Sequence, residues 1–296
     1  MSLCPLCCLA SLVIDSPMEK GAGVLYVVST PIGNLEDITL RALRVLKEVD
    51  LIACEDTRRS RKLLSHYGIN KPLVSYYGPR EARKVSCILE PLREGKRVAL
   101  VTDAGTPLLS DPGWRLVREA IDGGIPVVPV PGPSSVLAAL VASGLPLKPF
   151  TFWGFPPRRK GELRSFLRET ASFPGVHVFF ESPRRILTTL EVMCREWGER
   201  RVVVARELTK VHEEFIRGSL SWVKGELASR EEVKGELVLL VEGGGPFREP
   251  WEEKGRRLLE EGFSLRDVAK ILKVLYGAPR REVYSRLGEF TAGEGA

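Results

Sequence analysis

Several signatures that announce a cofactor or a nucleophile are missing from this 296-residue chain. It has no G-x-x-x-x-G-K-[ST] and no G-x-G-x-x-G, so a P-loop phosphate cradle and a Rossmann dinucleotide fingerprint lose their main support. G-x-S-x-G is absent too. The three histidines (His66, His177 and His212) lie in unrelated contexts, which argues against a nucleophile triad and a histidine-based metal site. Each histidine reads as structural, and no metal is expected. No stretch of 18 or more apolar residues occurs, so no membrane span is expected.

The six cysteines do not form a disulfide framework. Cys54, Cys87 and Cys194 are scattered singly through apolar or mixed segments, the usual context of reduced buried thiols. Cys4, Cys7 and Cys8 make a C-x-x-C-C cluster with no second pair to complete a zinc set. They belong to an N-terminal extension, 1–23, whose first 17 residues are apolar but lack a basic leader region and a clear cleavage site. Met18 opens "MEKGAGVLYVV", so the expectation is a start at Met18 or a disordered extension.

What is present is the composition of a globular protein, 44% hydrophobic and 28% charged, with a formal net charge of +6. That mild basic bias suits a polyanionic partner, and a uniformly solvated basic surface accounts for it equally well.

Between Val24 and Val130 short apolar runs alternate with amphipathic stretches. "VLYVVS" (24–29), "DLIAC" (50–54), "PLVSY" (72–76), "RVALVT" (97–102) and "PVVPV" (126–130) read as strands with helices between them. This predicts a mainly parallel sheet covered by helices on both faces. A second α/β pattern runs from Phe150 to Gly243, after a switch at "GLPLKPF". The predicted fold class is therefore α/β, two α/β domains (24–145 and 146–245) with a ligand cleft between them. A small helical unit, 250–290, follows. Ser264 with Asp267 forms a helix N-cap signal, and Gly277 with Pro279 breaks the next junction. Helix, short turn, helix with Arg280, Arg281 and Arg286 suits a helix-turn-helix module; a small packing or dimerisation bundle is the alternative.

Polar loops follow the strands: "STPIGNLEDIT" (29–39), "ACEDTRRSRKLL" (53–64), "TDAGTPLLSDPG" (102–113), "VPGPSS" (130–135), "FFESPRR" (179–185) and "ARELTKVHEE" (205–214). Any one is explained by turn chemistry. Six at the carboxyl ends of strands exceed what folding needs, and open α/β sheets bind ligands there. Basic residues gather on two of them, Arg58, Arg59, Arg61 and Lys62 on one and Arg184 with Arg185 on the other, and on "PPRRKGELRSFLR" (156–168), where Arg158, Arg159, Lys160, Arg164 and Arg168 have only Glu162 opposing. Arginine forks match phosphate oxygens, so the clusters favour a nucleic-acid substrate over a merely solvated surface.

Taken as a set, "TPIGNLEDIT", "CEDTRRS", "DAGTPLLSDPG", "PGPSS", "GFPPRRKGE", "ESPRR", "ARELTK" and "KGELVLLVEG" resemble the tetrapyrrole (corrin/porphyrin) methylase superfamily. Within it they are most similar to the branch that 2′-O-methylates a cytidine of 16S ribosomal RNA. The resemblance spans about Val24 to Gly243 in order, and the C-terminal helical unit also matches. It implies a cytoplasmic homodimer that binds S-adenosylmethionine and acts on 16S RNA or the assembled small subunit. Carried over residue by residue, the cofactor positions are Pro31, Gly33, Asp103, Ala104, Gly105, Thr106, Pro107, Ser134 and Ser135. From the second domain they are Phe180, Arg206, Glu207 and Leu208. Candidate bases for the ribose hydroxyl are Glu181, Asp103 and Asp56, with Arg185 and Lys210 as charge stabilisers. The pattern departs at "YYGPRE" (76–81), where a His-Asn-Glu element is usual, at Arg184 in place of His, and at Ser135 in place of Ala. A small tetrapyrrole-like acceptor, or a non-catalytic RNA-binding factor of the small subunit, remains the alternative.

Overall fold

A computed structural model describes residues 23–76, 81–244, 251–276 and 278–291. The extension with its cysteine cluster and positions 77–80 of "YYGPRE" lie outside the described residues. The chain divides into two compact units, with the division between Ser135 and Val136.

The first unit holds an all-parallel sheet of β1 (Val24–Val28), β2 (Leu51–Cys54), β3 (Leu73–Ser75), β4 (Arg97–Leu100) and β5 (Val127–Val130). Their spatial order is β3-β2-β4-β1-β5. These strands read as continuous apolar runs because both faces are covered and successive side chains point to opposite faces. Ile52, Cys54, Ala99 and Val101 enter one core with Ala42, Val45 and Leu46 of α1 (Leu40–Glu48) and Leu64 of α2 (Thr57–His66). Ala53, Val98 and Leu100 enter the other with Ile88 and Leu89 of α3 (Glu81–Arg93) and Leu116 and Ala120 of α4 (Trp114–Asp122).

That sorting locates the site. β1 and β4 are parallel neighbours, yet the chain leaves β1 for α1 on one face and leaves β4 for α4 on the other. Loops departing to opposite faces open a crevice at the carboxyl ends of the two strands, the topological switch point of the sheet.

In the second unit α5 (Ser135–Ser143) leads into a mixed sheet. Its strands are β6 (Phe150–Gly154), β7 (Val176–Glu181), β8 (Arg201–Arg206), β9 (Glu214–Ser219) and β10 (Leu237–Glu242), ordered β6-β7-β10-β8-β9. β6 and β7 pair parallel; the other three pairings are antiparallel. Leu163 and Leu167 of α6 (Lys160–Thr170), Leu190 and Met193 of α7 (Ile186–Trp197), and Val223 and Leu227 of α8 (Leu220–Ala228) pack on one face. Helix α8 is not signalled in the sequence. Ser219 both ends β9 and caps α8, accepting from the Trp222 N–H, so no turn residues separate the two. Arg217 of β9 donates to the Ser143 and Ala142 carbonyls and so holds the end of α5.

Three further helices, α9 (Trp251–Glu260), α10 (Leu265–Tyr276) and α11 (Arg280–Thr291), close on Trp251, Val268, Leu272, Val283 and Leu287. Ser264 caps α10 by accepting from the Asp267 N–H at 3.2 Å. No helix among the described residues is long and apolar enough to cross a membrane.

Candidate functional site

The loops after β1 and β4 are locked together. Thr30 and Gly105 exchange backbone hydrogen bonds of 2.9 and 3.0 Å, an isolated antiparallel bridge between two parallel strands' exits. The Thr30 hydroxyl donates to the Thr102 carbonyl at 3.1 Å. Ser29 donates to the Thr106 hydroxyl at 3.2 Å, and Thr106 donates to the Pro133 carbonyl at 3.0 Å. One network thus joins the loops after β1, β4 and β5, and brings Thr106 together with Pro31, Ala104, Gly105 and Pro107. Gly105 has φ +81, and a Cβ there would stand 3.1 Å from Ile32 Cγ2. Glycine supplies both the left-handed backbone and the clearance.

Strain concentrates in these loops. Among the described residues, the non-glycine positions with positive φ are Leu108 and Ser110, in the loop after β4, and Glu207 and Thr209, in the loop after β8. Such conformations cost about 1–3 kcal/mol each and persist where the surroundings enforce them, typically at ligand sites.

Beside β2 and β4 lies a cavity of about 500 Å³ lined by Glu55, Asp56, Thr57, Arg59, Ser75 and Asp103. The Thr102 hydroxyl donates to Asp111 at 2.8 Å and stands 3.4 Å from Glu55. Burial, reinforced by the neighbouring carboxylates, lifts the proton affinity of both Glu55 and Asp111. Asp56 has a different task. It caps α2 by accepting from the Arg58 N–H at 2.8 Å and pairs with the Arg58 guanidinium, which holds its carboxyl below the usual range. Asp103 accepts from the Asp56 N–H at 3.2 Å and lies 3.4 Å from Arg59. The sequence reading included Asp56 and Asp103 but missed Glu55 and the Thr102–Asp111 contact. Glu55 precedes Asp56 at the end of a buried strand, and that adjacency was the available signal.

In the second unit the Glu181 side chain is 0% exposed. Its Oε1 accepts from the Ser182 N–H at 2.7 Å and its Oε2 from the Thr189 hydroxyl at 2.6 Å, with Arg185 at 3.6 Å. With both oxygens occupied, Glu181 anchors the turn after β7. Arg185 in turn donates to the Pro156 and Pro157 carbonyls at 3.2 and 2.7 Å. Phe180 packs between Phe152 and Phe155, at centroid distances of 4.9 and 5.5 Å. Arg206 donates to Glu214 at 3.1 Å and to the Lys234 carbonyl. Glu207 accepts from Lys210 and from the Glu236 N–H, at 2.8 and 2.9 Å, and Leu208 is buried beside it. Lys210 is shared by Glu207 and Glu236. Arg185 and Lys210 are therefore bound to the fold's own acceptors.

The basic clusters separate in the same way. Arg164 and Arg168 both pair with Glu196, at 2.8 and 2.6 Å, a carboxylate distant in sequence that adds to Glu162. Arg58, Arg59 and Arg159 each have an acidic partner. Among the described residues, Arg61, Lys62, Arg158, Lys160 and Arg184 are exposed and take part in no ion pair. His177 is a core residue. Its Nδ1 accepts from the Trp153 indole at 3.0 Å, and burial beside Arg200 pushes its pKa down to about 4.

The comparisons with known proteins agree on one family. The sequence profile of the Tetrapyrrole (Corrin/Porphyrin) Methylases matches residues 24–223, and the chain belongs to that family. It is 44% identical over 272 residues to the ribosomal RNA small subunit methyltransferase I of Halalkalibacterium halodurans, covering 89% of this chain and 94% of that protein. To the protein of the same name from Hydrogenobaculum sp. it is 52% identical over 219 residues, covering 73% and 94%. The solved uroporphyrin-III C-methyltransferase of Thermus thermophilus, complexed with S-adenyl homocysteine, superposes with a TM-score of 0.52 at 22% identity over 74% of this chain and 97% of that one.

Proposed function

We propose that this chain transfers a methyl group from S-adenosylmethionine to the 2′-hydroxyl of a cytidine in 16S ribosomal RNA, as a cytoplasmic homodimer. The observation that carries this reading is 44% identity to a ribosomal RNA small subunit methyltransferase over almost the full length of both chains. The site's chemistry supports it.

The residues present fit the cofactor. S-adenosylmethionine carries a sulfonium and an ammonium, and the cavity after β2 and β4 is lined by Glu55, Asp56 and Asp103 with Arg59 as its only cation. Gly105, at φ +81 and hydrogen-bonded to Thr30, holds the loop that carries Asp103 into that cavity. When bound, the cofactor supplies an activated methyl group on a good leaving group, so much of the acceleration comes from positioning.

The chain's own groups supply the rest. Asp103, held by the Asp56 N–H and facing Arg59, accepts from a ligand ammonium or hydroxyl. The ribose hydroxyl must lose a proton, and the acceptor works best with raised proton affinity. Glu55 meets that condition: it lines the cavity, its proton affinity is lifted, and among the described residues it forms no ion pair. Asp56 is a weaker base because Arg58 holds its charge. Glu181 serves by positioning the turn that carries Arg184 and Arg185.

A small tetrapyrrole-like acceptor finds less support, since the relatives matched over most of the chain are named for ribosomal RNA; Arg61, Lys62, Arg158, Lys160 and Arg184, exposed and in no ion pair among the described residues, suit its phosphates. Incubating the protein with methyl-labelled cofactor and either free 16S RNA or assembled small subunits, then mapping the label, tests the proposal. Label on one cytidine ribose is expected. Binding of RNA without cofactor binding or label would leave only a non-catalytic factor.

A further inference from the structure

The loop joining β6 to α6 carries an aromatic ring that the core does not use. Phe155 is 59% exposed. A single exposed apolar side chain is ordinary on a protein surface. The mounting of this one is not. The Phe180 ring lies 5.5 Å away at an interplanar angle of 59°, bracing one side of Phe155. The next two residues are prolines, which fix φ, and both their carbonyls are clamped by the Arg185 guanidinium. Arg185 is itself held at 3.6 Å by the fully buried Glu181. A buried carboxylate, an arginine and two prolines thus immobilise a loop whose tip presents a ring to water.

The surroundings are cationic. Arg158 and Lys160 follow within five residues of Phe155, and both are exposed without an ion-pair partner among the described residues. Arg184, on the adjoining turn after β7, is also exposed and in no ion pair among the described residues. A rigid aromatic face flanked by unpaired cations is the combination that binds single-stranded nucleic acid: phosphates meet the cations, and a splayed base stacks on the ring. A duplex offers no base face to such a ring, so the partner must be unstacked.

We infer that Phe155 is a stacking platform for one unpaired nucleobase of the RNA substrate, with Arg158, Lys160 and Arg184 holding the flanking phosphates. The inference rests on the RNA reading above and adds to it the position where a base is read. It also gives the Glu181–Arg185 pair its purpose, which is to fix the loop that carries the platform.

The test is fluorescence anisotropy with a short oligocytidine strand and a series of the same strand with each nucleotide in turn made abasic. For the wild-type protein, one abasic position should weaken binding by roughly 5- to 100-fold, the range for a single base–aromatic stack. Phe155→Ala should bind every strand at the weakened level and no longer sense that position, whereas Phe155→Trp should restore the preference. Its melting temperature should equal that of wild type, since the side chain is at the surface. Retained discrimination in Phe155→Ala would overturn the platform. A changed oligomeric state of that variant by light scattering would overturn it too, and would mark Phe155 as a contact between two copies of the chain. Failure of the wild-type protein to bind either the strand or assembled small subunits would instead overturn the RNA reading itself.

Discussion

Glu181→Gln separates a reacting carboxylate from a structural one. The native side chain is fully buried, with hydrogen bonds of 2.7 Å from the Ser182 N–H and 2.6 Å from the Thr189 hydroxyl, and with Arg185 at 3.6 Å. Glutamine keeps the volume but turns one acceptor into an NH2 group that must face a donor, and it removes the counter-charge of Arg185. Taking one partner from a buried pair costs about 3–5 kcal/mol. Arg185 keeps a quarter of its side chain in water and retains two carbonyl acceptors, so the lower end, about 3 kcal/mol, is expected. At about 2–4 °C per kcal/mol for a unit of this size, melting should fall by about 6–12 °C. The assay pairs thermal melting with methylation of ribosomal RNA well below the transition. A variant that melts within about 1 °C of wild type yet has lost turnover would refute the structural assignment and restore Glu181 as the group that reacts with the ribose.

Gly105→Ala places a Cβ at φ +81 and 3.1 Å from Ile32 Cγ2. A stability loss of about 1–2 kcal/mol is expected, with weaker cofactor binding by calorimetry; unchanged values of both would show that the loop does not need glycine. Glu55→Gln should act through pH. Burial and its acidic neighbours raise the folded-state pKa of Glu55, so its contribution to stability is fully present below the ordinary value of about 4.3 and is lost as pH rises through the folded value. The variant should therefore melt above wild type at neutral pH, with the gap closing in acid, while turnover falls. A gap of constant size across the titration would refute that account.

Much of the first unit was legible because a parallel sheet buried on both faces writes itself as apolar runs. "RVALVT" became β4 with Val98 and Leu100 on one face and Ala99 and Val101 on the other. Helix α8 was not legible, since its cap is the last residue of β9 and a glycine interrupts its pattern. The loops "TPIGN" and "DAGTPLLSDPG" were recognisable as a pair, but nothing in their order says that Thr30 and Gly105 bond to each other. Similarly, Arg164 and Arg168 looked nearly unopposed until Glu196, on α7, proved to pair with both.

The residue order by itself determined the alternation of strands and helices, the loops rich in glycine, proline and acid at the strand ends, and the family. These are local properties, set by periodicity and turn chemistry within a few residues. Only the tertiary structure decided which charges are free. Glu181, Arg185 and Lys210 are spent on the fold's own partners, while Glu55 forms no ion pair among the described residues. A charge's availability depends on what stands within about 4 Å of it, and that neighbour is often tens of residues away along the chain.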